Sequence, residues 1–285
     1  MRITYLGPSG THTEEALLAH SATEQMEMIS APTVYEAILA VQEKRVDLAF
    51  VPIENSLEGS VNATLDVLVF DAPDVSITGE VVHTIHHSLL ARPQLEFRDI
   101  ECVLSHPQAS AQCAHFLHEQ LPQVTIAPAS STAEAARLVA ESDKPWAALA
   151  SRRAAELYSC AVLKNEVEDH PGNVTRFVWV GPKNVAYDMH TERSQAPHKT
   201  SIVFWGKGAA EQPGWLVQCL QEFASRGINL TKIESRPRKD TLGSYMFFCD
   251  LEGHSEDEQV TNALSVLGEL VAEIRVLGSY PILHF

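Results

Sequence analysis

A Ser or Thr followed three residues later by Glu, just ahead of an apolar run, occurs three times along the chain. The pairs are Thr11–Glu14, Thr33–Glu36 and Ser131–Glu134. In a capping box the hydroxyl accepts a hydrogen bond from a backbone N–H of the first helical turn, so each pair predicts the start of a helix. Strand-like segments lie between these helix starts. Strands that alternate with helices predict a largely parallel α/β architecture.

The strand-like segments continue to about residue 180. They are residues 2–6, 48–53, 80–90, 102–104, 124–127, 147–150 and 176–180. This number of strands, with helical stretches between them, predicts two α/β lobes with a cleft between them over residues 1–181.

A second domain is predicted at 199–285. Residues 182–198 are polar and aperiodic and carry Pro182 and Pro197, which indicates a linker. Beyond them we predict strands at 201–205, 228–234, 244–251 and 274–277, and helices at 214–226 and 257–270. This β-α-β-β-α-β order is the ferredoxin-like arrangement.

The net charge restricts the partners of the chain. Its 285 residues include 21 Lys and Arg against 37 Asp and Glu, a formal charge of -16. Such a field repels phosphate backbones and anionic lipid, so we expect neither a nucleic acid nor a membrane partner. An anionic ligand would need local donors such as helix N-termini. With no apolar run typical of a signal peptide or membrane span, we expect a cytoplasmic protein.

Neither cysteine nor histidine spacing indicates a covalent framework or a metal centre. The five cysteines are widely spaced and contain no C-x-x-C pair. His83, His86 and His87 lie in a strand candidate without an adjacent Cys or carboxylate cluster. We therefore expect buried reduced thiols and no metal site.

Three loops have the position and composition of anion sites. They are Gly7–Thr11, Glu54–Ser60 and Ser105–Gln108, and each follows a strand candidate. Taken singly, each is also typical of an ordinary cap or turn. Three in one domain favour a polar ligand cleft at the ends of the strands. Thr175 and Arg176 begin a further strand, and alternation directs their side chains to opposite faces.

Together these segments resemble prephenate dehydratase. The resemblance rests on Gly7–Glu14, Val51–Val61, Leu104–Gln108 with Gln112 and Cys113, Asn173–Phe177, and Asn229–Pro237, in the order of that family. It implies a catalytic domain with two lobes like those of periplasmic binding proteins, followed by a regulatory ACT domain of ferredoxin-like topology.

The resemblance also implies an activity, namely the conversion of prephenate to phenylpyruvate, water and carbon dioxide in phenylalanine biosynthesis, without a metal or redox cofactor. It assigns the essential hydroxyl to Thr175, and Arg176 becomes a candidate partner for a substrate carboxylate. Further substrate-binding positions implied by the family motifs are Thr11, Asn55, Ser56, Ser105, Gln112 and Phe177.

In the small domain the resemblance implies a phenylalanine effector site between ACT domains. The matching positions are Gly214, Leu216, Asn229, Leu230, Glu234 and Ser235. Trp215 stands where the family usually has a small residue, so the indole either narrows this site or points into the core. Paired ACT domains imply a homodimer or homotetramer.

Two alternatives remain open from the sequence. An arogenate dehydratase shares the Thr-Arg-Phe motif and differs in one amino group of its substrate. A non-catalytic small-molecule sensor would close on a ligand without converting it. Chorismate mutase activity is not expected, because the chain begins directly with the strand of the dehydratase.

Overall fold

The structure is a computed structural model that describes residues 1–21, 26–183, 185, 196–206 and 213–282. Its helices are α1 (His12–Ala19), α2 (Val34–Gln42), α3 (Asn62–Phe70), α4 (Pro107–Gln112), α5 (Ala114–Gln120), α6 (Thr132–Glu141), α7 (Arg152–Tyr158), α8 (Trp215–Ala224) and α9 (Glu258–Leu270). Among the described residues, no helix combines the length and apolar character needed to cross a membrane.

The strands begin with β1 (Arg2–Leu6), β2 (Glu27–Ala31), β3 (Leu48–Asn55), β4 (Gly59–Ser60), β5 (Val75–Thr84), β6 (Ser88–Ala91), β7 (Cys102–Ser105) and β8 (Thr125–Pro128). They continue with β9 (Trp146–Ala150), β10 (Ala161–Lys164), β11 (Val174–Pro182), β12 (His198–Trp205), β13 (Leu230–Pro237), β14 (Tyr245–Glu252) and β15 (Glu273–Pro281).

These strands form three sheets. The first has the order β2-β1-β3-β11-β5 with β4 beside β3, and β1 runs parallel to both of its neighbours. The second has the order β10-β6-β9-β7-β8 and is mixed, because β6 pairs antiparallel with β9 and β10. The predicted α/β class is confirmed, with fewer parallel pairs in the second sheet than expected.

The three predicted capping boxes are confirmed as helix starts. The hydroxyls of Thr11, Thr33 and Ser131 each accept a hydrogen bond from the backbone N–H three residues on, at 3.4, 3.1 and 3.0 Å. At α1 the carboxylate of Glu14 accepts from the N–H of Gly10 at 2.7 Å. Gly10 itself has a φ of +88°, which a side chain would strain. Together these contacts hold the loop between β1 and α1 in one conformation.

One predicted strand is wrong in its extent, because residues 80–90 belong to two strands. β5 ends at Thr84 and β6 begins at Ser88. Between them the N–H of Ile85 donates to the carbonyl of Asn173, and the N–H of His87 donates to the carboxylate of Glu168. These two N–H groups therefore do not pair with a neighbouring strand, and the chain passes from the first sheet to the second between β5 and β6.

The chain divides into two compact units, each made of two stretches. The first comprises Met1–Thr64 and Val81–Phe177, and the second comprises Leu65–Glu80 and Val178–Phe285. The second sheet lies in the first unit and is buried on both faces: Leu89 and Leu149 pack in one cluster, while Leu90 and Ala148 pack in another. The predicted domain limits stay a prediction, and most of the predicted linker, residues 184 and 186–195, lies outside the described residues.

The ferredoxin-like arrangement is confirmed within the second unit. Its four-stranded antiparallel sheet has the order β13-β14-β12-β15, and α8 and α9 supply its core with β12 and β14. Segment 65–80 is attached to this sheet by polar contacts. The Lys199 ammonium donates to both carboxylate oxygens of Glu80 at 2.6 and 2.9 Å, and Arg236 donates to both oxygens of Asp66 at 3.0 Å.

Candidate active site

A cavity of about 740 Å³ lies in the first unit and has the size of a small-molecule site. All three loops that the sequence singled out contribute to its wall, through Gly7 and Thr11, Asn55, and His106 with Gln108. Apolar side chains such as Ile85 and Phe177 complete the lining. The cavity therefore combines apolar walls with polar groups at the ends of strands, as expected for a polar ligand with an apolar ring.

Thr175 lies at the wall of this cavity and is held by Asn55. The amide nitrogen of Asn55 donates to the Thr175 hydroxyl oxygen at 2.9 Å. Which way this amide points is settled by its oxygen, which accepts from the backbone N–H groups of Leu57 and Glu58 at 3.0 and 3.1 Å. The Thr175 oxygen serves as an acceptor toward Asn55, so its own O–H can still donate to a ligand.

A chain of amides extends from Asn55 across the cavity wall. Asn55 also donates to the side-chain oxygen of Asn173 at 2.7 Å, and Asn173 donates to the side-chain oxygen of Gln112 at 3.2 Å. That oxygen also contacts Nε2 of His87 at 2.9 Å. Asn173 is only 2% exposed. The network therefore orders four polar side chains and Thr175 before any ligand binds, which favours preorganised catalysis.

Arg176 does not line the cavity. Its guanidinium pairs with the Glu54 carboxylate, at 3.0 Å from Nε and 2.9 Å from Nη2, and it is largely buried. Alternation along β11 gives this result, because Thr175 and Arg176 face opposite sides of the strand. The structure thus places Arg176 where it supports the strand, away from the position expected for a carboxylate partner.

Ser56 and Ser105 also serve the framework and do not line the cavity. The Ser56 hydroxyl accepts from the N–H of Val174, and its own N–H donates to the Val174 carbonyl, both at about 3 Å. Ser105 is fully buried, and its hydroxyl donates to the Leu149 carbonyl at 2.8 Å. Of the predicted substrate positions, the structure brings Thr11, Asn55, Gln112 and Phe177 together with Thr175 at the cavity.

Sequence reasoning missed two histidines and Asn173 at this site. His12 and His87 both line the cavity, and their rings meet edge-on with centroids 5.1 Å apart. Burial lowers the pKa of His87 to about 4, with repulsion from His12 as a second cause. The signal that would have found His12 is its place in the resemblance segment Gly7–Glu14, three residues before Glu15, whose carboxylate lies 3.1 Å from His12 Nδ1.

In the second unit the predicted effector positions lie on the start of α8 and on β13. Gly214 precedes α8 with a φ of +92°, and Leu216 packs against the core. Asn229 precedes β13 and Leu230 begins it, and this edge strand also carries Glu234 and Ser235. Trp215 points into the core: its indole N–H donates to the Leu270 carbonyl at 2.9 Å, and its ring packs against Phe204 and Phe247.

Comparisons with known proteins agree with this description. The family model for prephenate dehydratase matches residues 3–185, and that for the ACT domain matches residues 208–269. The chain is 38% identical to the prephenate dehydratase of Bacillus subtilis over 98% of both chains. It is 40% identical to the bifunctional chorismate mutase/prephenate dehydratase of Neisseria gonorrhoeae, over 99% of this chain and 74% of that protein.

Among solved structures, the prephenate dehydratase of Arthrobacter aurescens in complex with L-Phe has a TM-score of 0.87 and 38% identity, covering 99% of this chain and 90% of its own. The chain belongs to the prephenate dehydratase family, and an ACT domain follows its dehydratase region.

Proposed function

We propose that the protein is a prephenate dehydratase in phenylalanine biosynthesis and that Thr175 donates the hydrogen bond on which its chemistry depends. The observation that carries the assignment of Thr175 is the Asn55–Thr175 contact at the cavity wall, in which the threonine oxygen is the acceptor and its O–H can still donate to a ligand. Family membership indicates the reaction, and the Asn55–Thr175 contact supports Thr175 as the residue that carries it.

The reaction needs few catalytic groups because the product is aromatic. The ring carboxylate of prephenate leaves as carbon dioxide, its electron pair moves through the ring, and the hydroxyl leaves from the opposite carbon with its bonding pair. The dianion and one proton thereby give phenylpyruvate, water and carbon dioxide. The departing hydroxyl develops negative charge, so a donor positioned at that oxygen stabilises the transition state more than the bound substrate.

The surroundings of Thr175 suit this role. Thr175 is 8% exposed. Phe177, two residues further along β11, stacks on Phe50 with ring centroids 5.2 Å apart. A hydrogen bond in such a dry site is stronger than in water. Arg176 keeps a supporting role in this proposal, since its guanidinium is engaged by Glu54.

The test is phenylpyruvate formation from prephenate by the purified chain, with arogenate as the competing substrate. Turnover of prephenate supports the proposal, whereas turnover of arogenate alone would replace it with arogenate dehydratase. Binding of either compound without turnover would favour the sensor. The Thr175→Val variant, which keeps the shape of the side chain without its hydroxyl, links any activity to this site.

We further propose that phenylalanine regulates the enzyme through the ACT domain. The relative from Arthrobacter aurescens was solved with L-Phe, and the Trp215 indole of this chain is held in the core by its hydrogen bond to the Leu270 carbonyl. Ser235→Ala is expected to weaken inhibition by phenylalanine while basal turnover stays unchanged. An unchanged inhibition curve would place the effector elsewhere.

A homodimer or homotetramer is the matching assembly. β13 is an edge strand with alternate exposed residues, Ile233 on it is 49% exposed, and Val217 on α8 is 67% exposed. Pairing this edge with a second copy would cover both apolar side chains. Light scattering measures the assembly, and a monomer at micromolar concentration would contradict it.

A further inference from the structure

The cavity lacks the side chains that usually hold a dianion. Among the described residues that line it there is no lysine, arginine, aspartate or glutamate. The titratable groups in this lining are His12, His87 and His106. His106 Nδ1 accepts from the Gln108 N–H as a helix cap, whereas His12 and His87 each have a buried ring nitrogen without a hydrogen-bond partner among the described residues.

The tautomer of His87 follows from the amide chain. Asn55 is oriented by two backbone N–H groups, so it donates to Asn173, and Asn173 in turn donates to the Gln112 oxygen. Because the Gln112 oxygen is an acceptor, His87 Nε2 is the donor in their 2.9 Å contact. The proton of neutral His87 therefore lies on Nε2, and Nδ1 carries a lone pair.

The tautomer of His12 follows from Glu15. Burial alone would raise the pKa of this carboxyl, but hydrogen bonds from His12 and His83 lower it to about 2. Glu15 is thus ionised at neutral pH and accepts from His12 Nδ1 at 3.1 Å. In neutral His12 the lone pair is on Nε2.

Both lone pairs are buried and unused in the part of the chain that the structure describes. Neither His12 Nε2 nor His87 Nδ1 finds a hydrogen-bond partner among the described residues. His87 is 3% exposed, and the two rings are in edge-on contact. Two buried acceptors without a donor are unfavourable, and a proton on either nitrogen would turn it into a donor. The described lining of the cavity contains no lysine or arginine that could serve instead.

We propose that His12 and His87 form a carboxylate-binding subsite that takes up one proton when an anionic ligand enters the cavity. The proposal deepens the proposed function, on which it rests, by naming where one carboxylate of the substrate binds. A nearby anion favours the charged form of an imidazole. The pair takes up only one proton, because two imidazolium ions at this separation would repel each other.

The surrounding charges are consistent with one proton. The Glu15 carboxylate lies 3.1 Å from His12 Nδ1, while His83, 4.0 Å from the same carboxylate, is hydrogen-bonded to His20. Burial is the largest influence on the pKa of His87 and lowers it, and His12 lowers it further. The carboxylates of Glu168 and Glu15 raise this pKa. In the absence of ligand, burial outweighs the carboxylates and His87 stays neutral.

Calorimetric titration with phenylpyruvate, a stable monocarboxylate, tests the subsite. Titrations at pH 7.5 in two buffers with different ionisation enthalpies measure the protons taken up per ligand bound. We expect uptake close to one for the unsubstituted chain. In His87→Gln, whose amide can still donate to Gln112, uptake should fall close to zero and binding should weaken about 10- to 100-fold. His12→Gln should behave in the same way.

His118→Gln is the matched control, since this histidine is exposed on α5. It should leave proton uptake and affinity unchanged. Phenylpyruvate binding without proton uptake would overturn the subsite even if prephenate is converted, so this failure is distinct from a failure of the proposed function. Uptake that persists in both His12→Gln and His87→Gln would equally overturn it. If prephenate is not converted but phenylpyruvate binds with one proton, the subsite stands and the proposed function does not.

Discussion

Replacing Thr175 by valine removes one O–H donor and little else. Valine keeps the branched shape, and the Asn55 amide nitrogen retains the Asn173 side-chain oxygen at 2.7 Å and the Val174 carbonyl at 3.2 Å. The fold and the amide chain should therefore survive the change. Valine cannot donate to the departing hydroxyl, so the loss should fall on the chemical step.

The expected magnitude follows from the role of such a donor. Positioned proton or hydrogen-bond donation contributes about 100- to 10,000-fold, which is about 3–5 kcal/mol of transition-state stabilisation. We expect kcat for phenylpyruvate formation to fall by that factor in Thr175→Val, with KM changed less than about threefold. Thr175→Ser restores the hydroxyl and should recover all but about tenfold of the loss.

Steady-state assays of phenylpyruvate release, with circular dichroism to confirm folding, measure these effects. A Thr175→Val enzyme with kcat within tenfold of the original would remove Thr175 from the mechanism. A loss confined to KM would make the hydroxyl a binding group only, because it would then act equally on substrate and transition state.

Three further outcomes concern stability and regulation. Lys199→Met should cost about 3–5 kcal/mol of unfolding free energy, since it removes the ammonium that pairs with the buried Glu80 carboxylate, and adding Glu80→Leu should recover most of this loss. Asp66→Asn should weaken the hydrogen bonds that Arg236 donates to residue 66. Because Arg236 follows the proposed effector residues Glu234 and Ser235 on β13, the change should reduce inhibition by phenylalanine and lower stability by about 1–2 kcal/mol. Stability should fall as pH drops from 6.5 to 4, because unfolded His87 takes up a proton before folded His87 does. This contribution amounts to about 3 kcal/mol and should be absent in His87→Gln.

Urea unfolding at several pH values and inhibition titrations measure these three effects. A double variant of Lys199 and Glu80 no more stable than Lys199→Met would contradict the argument that the loss comes from burying the Glu80 charge without the Lys199 ammonium. Inhibition by phenylalanine that is unchanged in Asp66→Asn would show that Arg236 acts independently of segment 65–80. Parallel pH profiles of the original chain and His87→Gln would assign the pH dependence to other groups.

Local chemistry was sufficient for much of the fold. The hydroxyls of Thr11, Thr33 and Ser131 reach N–H groups three residues away, so these helix starts depend on neighbours in sequence alone. The β-α-β-β-α-β order of the small domain is likewise predicted by the periodicity of its apolar residues, which alternate in the strands and recur every three or four residues in the helices. Strand β2 escaped prediction because it is an edge strand with little burial and therefore shows no apolar alternation.

The site was only partly accessible to such reasoning. Thr175, Asn55 and Gln112 were predicted through motif resemblance, and alternation alone indicated that Arg176 faces away from Thr175. Ser105 is predicted to line the cleft, but its hydroxyl donates a hydrogen bond to the Leu149 carbonyl of a neighbouring strand. Such a partner, distant in sequence, cannot be identified before the strand order is known.

Periodicity and capping thus specify elements, whereas tertiary contacts assign each polar group its partner. Asn55 and Asn173 are 118 residues apart, and His87 and Gln112 are 25 apart, yet their contacts determine which atom of each side chain donates. The same holds for Lys199 and Glu80, which are 119 residues apart and attach segment 65–80 to the small domain's sheet. A hydrogen bond depends on distances of about 3 Å between particular atoms, and only the folded chain brings these atoms together.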